Sequence, residues 1–359
     1  MSVFNKDNTE WQSGNYSLFL GEKPALFDSI NRKHQRLFDL YKYQKSIDWS
    51  EDEVDLEQSR IDLLSCPPEV RDIMLKNIAF QWELDSVAFR SIAPLFAPFI
   101  TDSDLWLVWM KASEIEGLHS LTYSEIVRQC VQDPQDVFKE VMKNEEVLER
   151  ASVVVEVFDN LQTVGAKYIL GQSSLEECQD ALMQGVAALY CLERIQFMSS
   201  FAATFALAEQ GWFVGIAKLV QKIMNDEFGV HCAIDQYVLQ TLLKDPDWQD
   251  VFKRNSSAIM QIINEVNGGE KKWATYLFSE GRQIVGLNEQ ILKEWVDYNA
   301  WEVYDLFGIE RERGENPIPF MNNWMNIDRF QTANQEADNT NYVLNAVKRD
   351  FGEEQWEEI

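Results

Sequence analysis

Between residues 25 and 306 apolar residues recur at three- and four-residue spacing in long segments, and several of these segments are apolar on more than one face while carrying carboxylates within them. Helices without a polar side belong in the middle of a bundle. An acid on such a helix costs several kcal/mol to bury unless it meets a cation or keeps a proton. The spacing predicts an all-α chain, with helices near 25–46, 67–95, 102–130, 134–170, 174–208, 212–243, 247–266, 270–281 and 287–306. Strand alternation is nearly absent. Start signals agree with several of these bounds: Pro67-Pro68 opens one helix, Thr101-Asp102-Ser103 caps the next, and Ser174-Leu175-Glu176-Glu177 fits a capping box.

The acids inside apolar surroundings fall on four of the long helices. They are Asp85 in FQWELDSVAF, Glu116 in SEIEGLHSLTY, Glu193 in LYCLERIQFM and Glu227 in IMNDEFGVHCA. The chain has only three histidines, and two of them, His119 and His231, follow Glu116 and Glu227 at helical spacing. Taken singly, a Glu-x-x-His pair is more often a surface pair or a satisfied core histidine, and a lone buried acid is more often a salt-bridge partner. Together they match the scheme by which helical bundles hold two metal ions, with one carboxylate on each of two helices and an acid–histidine pair on each of the other two. Four carboxylates balance two divalent ions, and two neutral imidazoles complete the ligand set.

Composition narrows the function classes. Fifty-nine acidic against 32 basic residues give a net charge of -27. Such a charge repels phosphate backbones and anionic membrane surfaces, which argues against nucleic-acid and membrane partners. The five cysteines (Cys66, Cys130, Cys178, Cys191, Cys232) form no C-x-x-C pair, and the first residues lack a basic start followed by an apolar run. No run of about 18 apolar residues appears. A reducing cytoplasm is the expected location. Three regions are expected: a polar arm over 1–24, one helical domain over 25–315, and a flexible tail over 316–359, where Asn316-Pro317-Ile318-Pro319 interrupts any helix.

In order, the motifs read Asp85, then Glu116-Gly117-Leu118-His119-Ser120-Leu121-Thr122-Tyr123, then Glu193, then Asp226-Glu227 with His231. This series resembles the small, radical-generating subunit of class I ribonucleotide reductases, over most of the chain. Tyr123 is the specific part: four residues after His119 and seven after Glu116, it shares their helix face. The resemblance implies a ferritin-like bundle with four central metal-binding helices and further flanking helices. It also implies two iron ions, although carboxylate and imidazole ligands suit manganese or a mixed manganese–iron pair equally. With O2 the metal pair would oxidise Tyr123 to a radical. Phe197, Phe201 and Ile223 would form the apolar pocket around it, while Trp49 and Asp226 would link the metal site to the surface. Tyr342 would relay the radical to the large subunit, docked by the C-terminal tail, and the chain would form a homodimer. Two other readings share the chemistry: a di-iron oxygenase with an open substrate cavity, and a ferritin-like iron store, which needs neither Tyr123 nor Trp49.

One position departs from the family pattern. Three residues, Phe228-Gly229-Val230, separate Glu227 from His231 where the family has two. A single inserted residue can be absorbed by a π-type turn, so such a turn or a local break is expected around 227–231, bringing His231 onto the metal. Glu114 also precedes His119, but at five residues it faces away, which leaves Glu116 as the candidate ligand.

Overall fold

The computed structural model describes residues 4–326; Tyr342 and the rest of the C-terminal segment lie outside the described residues. After a one-turn helix α1 (Glu10–Ser13), the chain runs through α2 (Gln35–Ser46), α3 (Glu57–Ser65), α4 (Pro68–Phe96), α5 (Ser103–Cys130), α6 (Pro134–Lys143) and α7 (Glu145–Ile169). Then follow α8 (Leu175–Cys191), α9 (Met198–Ala208), α10 (Val214–Asp226), α11 (Cys232–Lys244), α12 (Pro246–Leu277), α13 (Glu289–Leu306) and the short α14 (Met321–Trp324). Two π-helical turns, Leu192–Gln196 and Glu227–His231, join α8 to α9 and α10 to α11. Among the described residues there is no strand, only two isolated bridges, Phe19 with Ile100 and Ile284 with Leu287. No described helix is long and apolar enough to cross a membrane.

Four long rods form the centre: α4, α5, the α8–α9 rod and the α10–α11 rod. Flanking them, α7, α12 and α13 pack on α8, while α2 and α3 lie against α5. The helix starts follow their sequence signals. Asp102 accepts hydrogen bonds from the backbone N–H groups of Asp104 and Leu105, and Ser174 and Glu177 exchange the bonds of a capping box. Pro68 stands at the first position of α4, where its missing N–H costs nothing.

The departures from the expected bounds have local causes. The first helix begins at Gln35 rather than near 25, because the Asp28 side chain accepts from the N–H groups of Ile30 and Asn31 and holds a turn instead. The segment 134–170 is two helices, since Asn144 caps a fresh start by accepting from Glu146 and Val147. Conversely, 247–266 and 270–281 are one helix continuing through Gly268-Gly269. Around that pair, Asn267 donates to Asp297, and Glu270 is buried against the guanidinium of Arg150, so tertiary contacts override a weak helical sequence. Helix α3 was not legible because its buried residues are Ser59, Asp62 and Leu63, which make no apolar stripe. Its polar groups serve a neighbour: Asp62 accepts from the Phe213 N–H at 2.9 Å and Ser59 from the Ile216 N–H at 3.2 Å, capping the start of α10.

Residues 316–326, expected as the beginning of the tail, pack on the body. Ile318 and Met321 are buried, Trp324 stacks on Phe205 with centroids 4.4 Å apart, and its carbonyl accepts from Gln221. At the other end Leu18 and Phe19 are buried, the latter against Trp109.

Candidate metal centre

Each central rod delivers acids to one interior point. Asp85 comes from α4, Glu116 and His119 from α5, Glu193 from the first π turn, and Glu227 with His231 from the second. All six are at most 2% exposed, so none is reached by bulk water. Their ligand-bearing atoms gather in two groups, each within 4.8 Å: Asp85, Glu116, His119 and Glu227, and then Glu116, Glu193, Glu227 and His231. Glu116 and Glu227 belong to both.

Within the cluster one hydrogen bond forms, between His231 Nδ1 and Glu227 Oε2 at 3.1 Å; the other atoms approach one another without hydrogen-bonding well. His119 Nδ1 lies 2.8 Å from Glu227 Oε1, and His231 Nδ1 lies 2.8 Å from Glu116 Oε1. Yet among the described residues His119 Nδ1, both oxygens of Asp85, Glu116 and Glu193, and Glu227 Oε1 lack a properly aligned partner. Lone pairs that converge while missing each other's hydrogens are aimed at a shared point between them, which is the arrangement of a coordination shell. The residues therefore fit a pair of metal ions.

Electrostatics agree. Burial, reinforced by the charge of Glu116, holds Asp85 well above the carboxylate range; burial and the charge of Glu227 do the same to Glu193. Burial would raise Glu227 too, but the adjacent Glu193 carboxyl and the two imidazoles hold it well below. Burial alone would depress His231, but Glu227 and Glu116 carry it up to about 10. Without a metal this cluster must keep protons, and a divalent cation would displace them.

The π turn expected at 227–231 is present: the N–H of Cys232 bonds to the carbonyl of Glu227, five residues back. The one around Glu193 has no spacing signal in the sequence. Glu114, by contrast, is exposed and pairs with Lys111.

From His119 a polar chain runs outward. Its Nε2 lies 3.0 Å from Asp226 Oδ2, and the same oxygen accepts from the Trp49 indole at 2.7 Å. Trp49 and His119 stack 6.0 Å apart, 19° from parallel. Gln44, which the sequence did not single out, donates to Asp226 Oδ1. Tyr123 is fully buried and its hydroxyl has no hydrogen-bond partner among the described residues. Burial first, then the charge of Asp85, pushes its phenol well above its ordinary range. Phe197, Phe201 and Ile223 are fully buried in the same core, the two phenylalanines stacked 5.6 Å apart.

Sequence reasoning passed over three further buried polar residues. Asn77 and Gln81 precede Asp85 by eight and four residues on one face of α4, with polar atoms unpartnered among the described residues. That four-residue repeat was a signal in the sequence. Asp235, one turn past His231, accepts from Trp109.

The family model for the ribonucleotide reductase small chain matches residues 27–313. The ribonucleoside-diphosphate reductase beta subunit of Haemophilus influenzae is 29% identical over 349 residues, covering 92% of each chain. Among solved structures, the ribonucleotide reductase R2 subunit from Clostridium botulinum superimposes with a TM-score of 0.76 at 18% identity, covering 91% of this chain and 98% of that one. The dimanganese(II) NrdF of Streptococcus sanguinis gives 0.67 at 15% identity, covering 84% and 100%. At these identities the structural likeness speaks for the fold.

Proposed function

Because this chain belongs to the ribonucleotide reductase small-chain family, we propose that its buried carboxylate–histidine cluster assembles a dimetal centre that generates a radical on Tyr123 for use by a large subunit. The chain is the small subunit of an oxidoreductase, ribonucleoside-diphosphate reductase, and a small subunit implies a large partner. The observation that carries the proposal is the convergence of six buried ligands around two positions, with a sealed, unpartnered tyrosine among the charges they bear.

When bound, the metal pair supplies the oxidising equivalent from O2; the chain supplies everything else. Asp85, Glu116, His119, Glu193, Glu227 and His231 hold the ions. Tyr123 stays a neutral phenol until oxidised, and the core containing Phe197, Phe201 and Ile223 keeps water and reductants away. The His119–Asp226–Trp49 chain gives the oxidising equivalent a bonded route out to the partly exposed Trp49, with the electron travelling inward along it. Iron is the proposed metal; manganese or a mixed pair suits the same ligands, and the Streptococcus sanguinis relative is a dimanganese(II) protein.

Three further assignments belong to this reading. Tyr342 relays the radical and the acidic C-terminal segment docks the large subunit. Homodimerisation uses the face where Trp106, Met110 and Leu121 form an exposed stripe along α5 and Phe89 lies over Gly117. The protein works in the cytoplasm. Anaerobic dialysis against ferrous iron tests the centre itself, with two ions expected per chain and fewer than one contradicting it. Against an oxygenase, the void beside Glu193 and His231 is too tight even for water.

A further inference from the structure

His119 and His231 present the same ring atom, Nδ1, to the carboxylate cluster. Their outer nitrogens differ. Nε2 of His119 meets Asp226 at 3.0 Å, whereas Nε2 of His231 is buried without a hydrogen-bond partner among the described residues. One turn further along the same rod, Asp235 is also buried, at 2% exposure. Its Oδ1 accepts a long bond, 3.4 Å, from the Trp109 indole, and its Oδ2 has no partner among the described residues. Both residues line one narrow internal void, whose only other polar lining is Trp109 and Glu193.

We propose that Asp235 is the outer hydrogen-bond partner of His231, holding its ring with Nδ1 toward the carboxylate cluster as Asp226 holds His119. Residues four apart on a helix are neighbours on its surface, so the carboxylate reaches the imidazole edge by a side-chain rotation alone. Water cannot do the job instead, because the void admits none. Glu193 is excluded by direction: its Oε2 lies 4.0 Å from Nδ1, on the opposite edge of the ring. Two buried orphans, a donor and an acceptor, are therefore left to satisfy each other, and leaving either alone would carry the full desolvation penalty. An outer carboxylate of this kind fixes the tautomer and orientation of a ligand histidine and strengthens it as a donor to metal. Asp235 is thus a positioning residue, and that role rests on the proposed metal centre, whereas the contact itself does not.

The experiment has two arms. In metal-free protein labelled with 15N-histidine, only His34, His119 and His231 contribute ring signals. The His231 Nε2–H should appear as a downfield, exchange-protected proton, retained in D235N, whose amide oxygen can accept, and lost or exchanging at least about tenfold faster in D235L. The W109F variant, which removes the other contact of Asp235, should keep the signal. In the second arm Zn(II) titration should show one of two sites weakened roughly 10- to 100-fold in D235L but not in D235N or W109F. An unchanged His231 proton in D235L, or its loss in W109F as well, overturns the proposal. Failure of wild-type protein to take up two Zn(II) would overturn the metal reading alone, since the first arm needs no metal.

Discussion

The Trp49 indole donates to Asp226 Oδ2 at 2.7 Å, and His119 Nε2 lies 3.0 Å from that same oxygen. Gln44 occupies the other oxygen at 2.8 Å, so three nitrogens surround one carboxylate. In D226N an amide N–H must face at least one of these donors. The variant should therefore lose about 1–3 kcal/mol of stability in urea unfolding, the cost of a buried unsatisfied group. W49F removes the outer donor and should leave the Tyr123 radical in place while abolishing turnover with the large subunit. Normal turnover by W49F would show that the oxidising equivalent leaves by another path.

Metal uptake and folding should separate. E116A and E193A each remove a ligand from a cluster that, without a cation, crowds buried acids together. Both variants should stay helical and, metal-free, unfold at a temperature no lower than wild type. They should bind fewer than two ions, and bound metal should no longer raise the unfolding temperature as it does in wild type. Full uptake in both would remove the ligand assignment.

How much of this was legible depended on which side chains announce themselves. Six acids and histidines in apolar helices were visible because burying them demands compensation, and the four rods that carry them were visible by periodicity. The order of the motifs carried the family. What stayed hidden has no periodic signature. Helix α3 buries Ser59 and Asp62, the π turn at Glu193 keeps ordinary helical residues, and the start of α2 was decided by a local Asp28 turn. Gln44 and Asp235 are polar residues whose partners are far in sequence or unsatisfied, and only packing reveals them.

The second π turn makes a prediction about length. On a regular helix each residue advances about 100°, so a histidine four places after Glu227 would sit on the opposite flank from one three places after it. The wider turn advances less per residue and stops His231 short of that flank, with regular α-helix on either side. Deleting Gly229 should therefore straighten the rod and keep uptake of two ions. Inserting an alanine after Gly229 should lose one. If the deletion abolishes uptake at the His231 site, the π turn does more than absorb an extra residue.

His34 gives a pH dependence remote from the metal ligands. Burial, and next the charge of Lys33, lower it from 6.5 to about 4; its Nδ1 meets Tyr237 at 3.0 Å. Because the folded value lies below the unfolded one, the unfolded chain gains the proton first. The stability attached to His34 is full above about pH 6.5 and is lost as pH falls toward 4, by at most roughly 3 kcal/mol. H34Q should flatten this part of the stability–pH curve relative to wild type. Parallel curves for the two proteins would show that His34 does not titrate there.

The central claim is that metal and O2 oxidise Tyr123. Metal-free protein given ferrous iron and then air should develop a tyrosyl radical, seen as a sharp absorption and an electron-spin-resonance signal near the free-electron value. Y123F should take up the same two ions, form no such signal, and otherwise fold as wild type. A radical of equal yield in Y123F, or none in fully iron-loaded wild type, would contradict the account.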